Sequence, residues 1–187
     1  MKRKEENISA TENNFLDVLE RSYKTHYNLL YNYGLKFVND AGLIEDFIQD
    51  IYVRLCKRGD LHNIDDLKIY LLRAMRNMAY DYYAARHDNL SVDDIEFSLS
   101  DDEDAFRRFF TKDDEEVRQY HSLQKAINSL PPQQKQILYL FYIKDLSHKE
   151  IAEILDITPQ ASMNSVSKTL RRLREMLLQF KRRKASF

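Results

Sequence analysis

Residues 147–174, SHKEIAEILDITPQASMNSVSKTLRRLR, constrain the fold of this chain more than any other stretch. Ser147 has the oxygen needed to cap a helix. Glu150 three positions on completes a capping box, in which each side chain meets an otherwise unpaired N–H. Apolar Ile151, Ala152, Ile154 and Leu155 follow at helical spacing. Asp156, Ile157 and Thr158 form a three-residue turn, and Thr158-Pro159 restarts a helix with an N-cap and a proline at its first position. On this second helix Gln160, Asn164, Ser167 and Arg171 share one stripe, with Ser162, Val166, Leu170 and Leu173 expected on the opposite, buried side. The pattern is that of a helix-turn-helix whose second helix enters the major groove of DNA. Amides there read base edges, and Arg171, Arg172 and Arg174 hold phosphates. The plainer alternative is two packed helices with a solvated basic face.

Three glycines and three prolines in 187 residues, with little alternating strand pattern, point to an all-α protein of one or two domains. No apolar run approaches the roughly 18–20 residues that cross a membrane. The N-terminus, MKRKEENISATENN, has a basic start but no apolar core of a secretory signal. A single cysteine, Cys56, excludes an internal disulfide and any multi-cysteine zinc site, and is expected to be a small buried apolar residue in a reducing compartment.

The net charge of −1 hides an asymmetry. Residues 1–87 hold 13 basic and 13 acidic side chains, residues 88–116 hold 3 and 12, and residues 117–187 hold 13 and 5. The ends are therefore neutral and +8, and the middle is −9. The basic end contains the helix-turn-helix, as phosphate binding requires. The acidic middle, with little helical periodicity and much self-repulsion, reads as a linker over residues 88–114. Its Phe97, Phe106, Phe109 and Phe110 suggest that parts of it dock on something.

This organisation gives a disordered tail over residues 1–12, a helical domain over 13–87, the acidic linker, and a four-helix domain over 115–184. In the last, Val117, Tyr120, Leu123 and Ile127 make an apolar stripe that ends at Leu130-Pro131-Pro132. A helix from about Gln133 to Tyr142 follows, and a long basic helix closes the chain with Lys181 to Lys184. In the first domain, Phe15, Leu19, Tyr23, Tyr27, Leu30 and Phe37 line one helix. A second, Leu43 to Arg58, exposes Glu45, Asp46, Gln49 and Asp50. A turn over Gly59 to Asp66 leads to a third helix, Leu67 to Arg86, with Leu67, Leu71, Ala74, Met78 and Tyr82 expected as its core face. A separate stripe of that helix reads Arg73, Arg76, Tyr80, Tyr83 and His87, cations beside flat rings, as single-stranded nucleic acid requires. The same tyrosines would also serve as the edge of a core.

Three of these segments, in order and spacing, resemble the extracytoplasmic-function sigma factors of bacterial RNA polymerase. They are the run Ile44 to Leu55 (IEDFIQDIYVRL), the run Tyr70 to Tyr82 (YLLRAMRNMAYDY), and Leu130-Pro131 with the helix-turn-helix from Ser147. The resemblance covers about 160 of the 187 residues. It implies a promoter-specificity subunit in the cytoplasm. Glu45, Asp46, Gln49 and Asp50 would dock on a coiled coil of the polymerase largest subunit. The turn with Gly59, Asp60, His62 and Asn63 would capture a base flipped from the −10 element. The helix of Asn77 and Asp81 would line the melted strand beside that turn, the same helix that carries the Arg73, Arg76, Tyr80 and Tyr83 stripe. Gln160, Met163, Asn164, Ser167 and Lys168, with Arg171 and Arg172, would meet the −35 element. The acidic linker would thread the RNA exit channel in imitation of a transcript. An anti-sigma factor is an expected partner, and no cofactor or small-molecule substrate is implied.

The chain departs from the family pattern in three places. Cys56 stands where an aromatic is usual, Asp156 replaces the common turn glycine, and Ser162 occupies a position usually apolar. The loop GDLHNIDD translates into no preferred base. A stand-alone helix-turn-helix regulator would explain the C-terminal domain. It would leave the Glu45–Asp50 surface and the Arg/Tyr helix without a task, and would usually need a dimer. Catalysis has little support. The five histidines form no HExxH or paired metal spacing, and no nucleophile elbow or glycine-rich phosphate loop occurs. His148, in the first turn of its helix, is expected to face solvent.

Overall fold

A computed structural model describes the backbone over residues 2–86, 95–99 and 122–184, and side chains over 15–86, 95–99 and 122–178. His87, Phe106, Phe109, Phe110, Val117, Tyr120 and the side chains of Lys181 to Lys184 lie outside the described residues. Every regular element described is helical, so the chain is all-α. It divides into two compact units, Met1–Asn89 and Leu90–Phe187.

Among the described residues, the N-terminal unit is three helices. Helix α1 spans Lys2–Gly34. It therefore includes most of residues 1–12, expected above as a disordered tail; no glycine or proline precedes Gly34, so nothing in the local sequence stops the helix. Helix α2 spans Ala41–Arg58 and is capped by Asp40, whose carboxylate accepts the Leu43 N–H at 3.1 Å. It ends at Gly59, whose φ of 78° is a left-handed conformation that glycine adopts without a Cβ clash. Helix α3 spans Leu67–Ala84 and starts from Asp66, which accepts the Ile69 N–H at 3.1 Å.

Leu30 and Tyr33 of α1, Ile44, Ile48 and Leu55 of α2, and Leu71, Leu72 and Met75 of α3 are fully buried. Each such apolar side chain stabilises the fold by roughly 1.5–3 kcal/mol. Between α1 and α2, the Ser22 hydroxyl and the Tyr52 phenol share a buried hydrogen bond at 3.0 Å. At Gly34 of α1 the side chains of Ile44 of α2 and Met75 of α3 crowd against the helix.

The core face of α3 is rotated from the expected one. Ile69, Leu71, Leu72, Met75, Arg76 and Ala79 are buried, whereas Leu67, Ala74, Met78 and Tyr82 are only half-buried. The helix offers two apolar series a few residues out of phase. Packing against both α1 and α2 selects the one that contains Ile69, Leu72 and Met75. On α1, Tyr23 is exposed and Phe15 and Tyr27 half-buried, so that stripe is narrower than its sequence spacing suggests. Cys56, expected to be buried, is exposed in the last turn of α2, one position past the buried Leu55.

In the C-terminal unit, helix α4 is described over residues 122–128. Helix α5 spans Pro132–Leu138 and continues as a π-helical turn over Tyr139–Ile143. The wider winding shows in the Lys144 N–H, which donates to the Tyr139 carbonyl at 3.1 Å, five residues back. Helix α6 spans His148–Leu155 and helix α7 Pro159–Lys184. Ile127, Ile137, Leu140, Ile151, Ile154, Leu155, Val166 and Leu173 are buried.

Gly34 makes the three-helix junction testable. A Cβ there would lie 2.9 Å from both Cδ1 and Cγ2 of Ile44 and 3.1 Å from the Met75 sulfur. Gly34→Ala gains helix propensity but overpacks this junction, at a cost of about 1–3 kcal/mol. It should lower the melting temperature of the N-terminal unit by several degrees. An unchanged or higher midpoint by calorimetry would mean that Ile44 and Met75 move aside freely.

Candidate nucleic-acid interface

The helix-turn-helix is built by side-chain caps. The Glu150 N–H donates to Ser147 Oγ at 3.3 Å, and the Ser147 N–H donates to Glu150 Oε2 at 2.7 Å, closing the capping box. Helix α6 ends at Asp156 in a left-handed conformation, φ 58° and ψ 47°. Aspartate tolerates this region better than most side chains, so the absent glycine is accommodated. Thr158 Oγ1 then accepts the Ala161 N–H at 3.1 Å, and Pro159 opens α7.

On α7 the structure leaves Gln160, Met163, Asn164, Ser167, Lys168, Arg171 and Arg172 all exposed. The Gln160 side-chain amide donates to Asn164 Oδ1 at 3.0 Å. That pairing holds the two amides together and leaves one NH2 and one carbonyl oxygen of the pair for a base edge. The buried side of α7 is Ser162, Val166, Thr169 and Leu173. Leu170, expected there, is exposed and Thr169 takes its place. Four-, three- and four-residue steps follow the 3.6-residue turn better than a second step of four.

Ser162 and His148 make a contact that sequence reasoning missed. Ser162 is fully buried, and its Oγ lies 2.9 Å from His148 Nδ1 in hydrogen-bonding geometry. The imidazole in turn stacks on Phe141, with ring centroids 4.6 Å apart and planes 14° from parallel. His148 thus faces the fold and not solvent. The hydrogen bond satisfies a hydroxyl that would otherwise be costly to bury, so Ser162 replaces an apolar residue without loosening the packing. A polar residue on an otherwise apolar stripe was the available signal.

In the N-terminal unit, Glu45, Asp46, Gln49 and Asp50 are exposed together on α2, opposite buried Ile44, Phe47, Ile48 and Ile51. The Tyr27 phenol donates to Glu45 Oε1 at 3.4 Å. Desolvation and then the Glu45 carboxylate hold that phenol above its ordinary pKa. Between α2 and α3, the His62 N–H donates to Asp60 Oδ1 at 3.1 Å and the Ile64 N–H to the Leu61 carbonyl at 3.0 Å. These bonds order the turn while Gly59, His62 and Asn63 stay exposed.

The Arg/Tyr stripe of α3 is not one open face. Arg73, Asn77 and Asp81 are exposed, but Arg76 is only 8% exposed, with its guanidinium 4.3 Å from the Tyr80 ring centroid and donating to Asn77 Oδ1 at 3.5 Å. Tyr80 sets its ring edge-on to Phe37 at 5.8 Å, and the Tyr83 hydroxyl donates to the Phe37 carbonyl at 2.8 Å. The rotated core face of α3 draws these three side chains towards the α1–α2 turn. Among the described residues no cluster of His, Cys, Asp and Glu could hold a metal ion, and no helix is long and apolar enough to cross a membrane.

Residues 22–88 match the Sigma-70 region 2 family, and residues 120–173 match the family of Sigma-70, region 4. The ECF RNA polymerase sigma factor SigM of Bacillus subtilis (strain 168) is 26% identical over 149 residues, which cover 79% of this chain and 87% of SigM. The RNA polymerase sigma factor SigZ of the same organism is 26% identical over 144 residues, 75% of this chain and 76% of SigZ. Among solved structures, the sigma factor RpoE in its co-crystal with the anti-sigma factor NepR from Bartonella quintana superposes with a TM-score of 0.54. That match covers 84% of this chain and 95% of RpoE at 18% identity, which speaks for a shared fold.

Proposed function

This chain belongs to the extracytoplasmic-function sigma factors, which direct bacterial RNA polymerase to specific promoters, and on that premise we propose how its exposed residues divide the work. The first helical domain, residues 13–87, binds core polymerase and the −10 element. Residues 88–114 are the linker, and residues 115–184 bind the −35 element. The chain acts in the cytoplasm, contributes no catalytic group, and takes an anti-sigma factor as a regulating partner.

The observation that carries this reading most is the recognition helix. Seven side chains of the expected kinds are exposed on α7, while Ser162, Val166, Thr169 and Leu173 anchor its other side. Gln160 and Asn164 read bases; Lys168, Arg171 and Arg172 supply positive charge to phosphates. In the N-terminal unit, the acidic and polar face of α2 meets a basic coiled coil of the largest polymerase subunit. Strand capture falls to the Gly59–Asp66 turn together with exposed Arg73 and Asn77. Tyr80 and Tyr83 support that surface from the core edge, and Arg76 reaches DNA only through a change of side-chain position. Melting costs a few kcal/mol per unstacked step, and capture of flipped bases offsets part of it. A stand-alone regulator would give the exposed α2 face nothing to bind.

Asp46→Arg combined with Gln49→Ala should abolish pull-down of core polymerase with helical content unchanged by circular dichroism. Undiminished retention of the double variant would remove α2 as the docking face.

For the recognition helix, Asn164→Ala should alter promoter preference at one or two positions, with about 1–3 kcal/mol of discrimination lost. Arg171→Ala should weaken binding of all promoters alike and flatten the salt dependence. Equal losses for both variants on every sequence, measured by holoenzyme–promoter titration, would contradict the division between base reader and phosphate clamp.

A further inference from the structure

The linker is strongly acidic, yet the part of it that the structure describes is partly buried. Residues 95–99 (Ile-Glu-Phe-Ser-Leu) run without helical structure, and their side chains alternate. Ile95, Phe97 and Leu99 are buried, Phe97 completely, while Glu96 is exposed and Ser98 half-exposed. Alternation with period two is the mark of an extended segment with one face against a surface. The Phe97 ring meets the Tyr139 ring edge-on, 5.6 Å between centroids at 68°, and the segment belongs to the C-terminal unit.

Tyr139 is also the first residue of the π-helical turn, and Lys144, just past that turn, sets its ammonium 5.0 Å from the Tyr139 ring centroid. Turns of this kind are rare inside α-helices and concentrate at functional sites. Charge favours the same contact, since residues 88–116 carry −9 and residues 117–187 carry +8.

We propose that the C-terminal unit carries, at the π-helical turn, a docking site for an extended segment with apolar side chains at alternate positions, and that the chain's own Ile95, Phe97 and Leu99 fill it in the free protein and leave it on joining polymerase. The release step rests on the reading of the chain as a sigma factor whose linker enters the polymerase; the docking itself does not.

Docking has two consequences. A segment tethered to its site acts at an effective concentration on the order of millimolar, so three side chains suffice to keep it seated. Only nine Cα steps then separate Arg86 from Ile95, a reach of at most about 32 Å. The seated linker is therefore unavailable to any channel, and the tether to the first unit is short. Polymerase must compete with the internal site, and the apparent affinity of the chain for polymerase falls by the fraction of molecules with the linker free.

The test uses the full chain with Cys56→Ser, which removes the one exposed thiol. Single cysteines are then introduced by Glu96→Cys, Leu99→Cys and, as a second buried reporter, Ile95→Cys, and their alkylation rates are compared. Docking predicts rapid reaction at position 96, reaction at least about tenfold slower at 95 and 99, and loss of that difference when Phe97→Ser is added. Equal rates at 95, 96 and 99 would overturn the docking. Phe97→Ser alone should also raise the apparent affinity for core polymerase, about tenfold if the site is filled nine-tenths of the time. Unchanged affinity would overturn the release step while leaving the docking in place. Wild-type chain that fails to bind core polymerase at all would overturn the sigma-factor reading, and the release step with it.

Discussion

A chain with three glycines and three prolines in 187 residues has to stop and start its helices with side chains. Among the described residues it does so four times in one way. Asp40, Asp66, Ser147 and Thr158 each place an oxygen on the N–H three residues later, at 3.1 to 3.3 Å. Each such cap is worth about 1 kcal/mol. Its larger effect is to fix where a helix begins. Asp40 sets the phase that turns Glu45, Asp46, Gln49 and Asp50 outward together. Thr158 does the same for Gln160, Asn164 and Lys168. Left-handed conformations at Gly59 and Asp156 then redirect the chain sharply enough to make the Gly59–Asp66 turn and the helix-turn-helix.

Buried polar groups refine what the caps begin. The Ser162–His148 hydrogen bond joins the recognition helix to the first turn of α6, so the angle between the two helices is held by a directional contact as well as by apolar packing. Ser22 and Tyr52 do the same between α1 and α2. Arg76 has its charge offset by the Tyr80 face and an amide oxygen. These contacts are made by the same helices, α2, α3 and α7, that carry the exposed surfaces assigned to DNA and polymerase.

The all-α class, the capping box, the three-residue turn and the exposed stripe on α7 were legible because each depends on residues close in sequence. The phase of α3 was not. Two apolar series fit the same helix, and only packing against α1 and α2 chooses between them; Arg76, Tyr80 and Tyr83 moved to the core edge as a result. The inward turn of His148 depends on Ser162, fourteen residues away, and on Phe141; polar Ser162 on an apolar stripe signals that it needs a partner, but not that the partner is His148. The π-helical turn at Tyr139–Ile143 has no sequence signature that distinguishes it from continued α-helix. The apolar alternation at Ile95, Phe97 and Leu99 was visible within the acidic run, but its receiving surface belongs to a helix some forty residues on.

The central claim is that this chain confers promoter choice on a polymerase that lacks it. The direct measurement is transcription in vitro from a library of genomic fragments, with core RNA polymerase and with or without the chain, followed by mapping of transcript 5′ ends. The account predicts starts that appear only when the chain is present and that share two upstream elements at a constant spacing. Transcripts identical with and without the chain, or tight binding of the chain alone to a palindromic duplex, would contradict it.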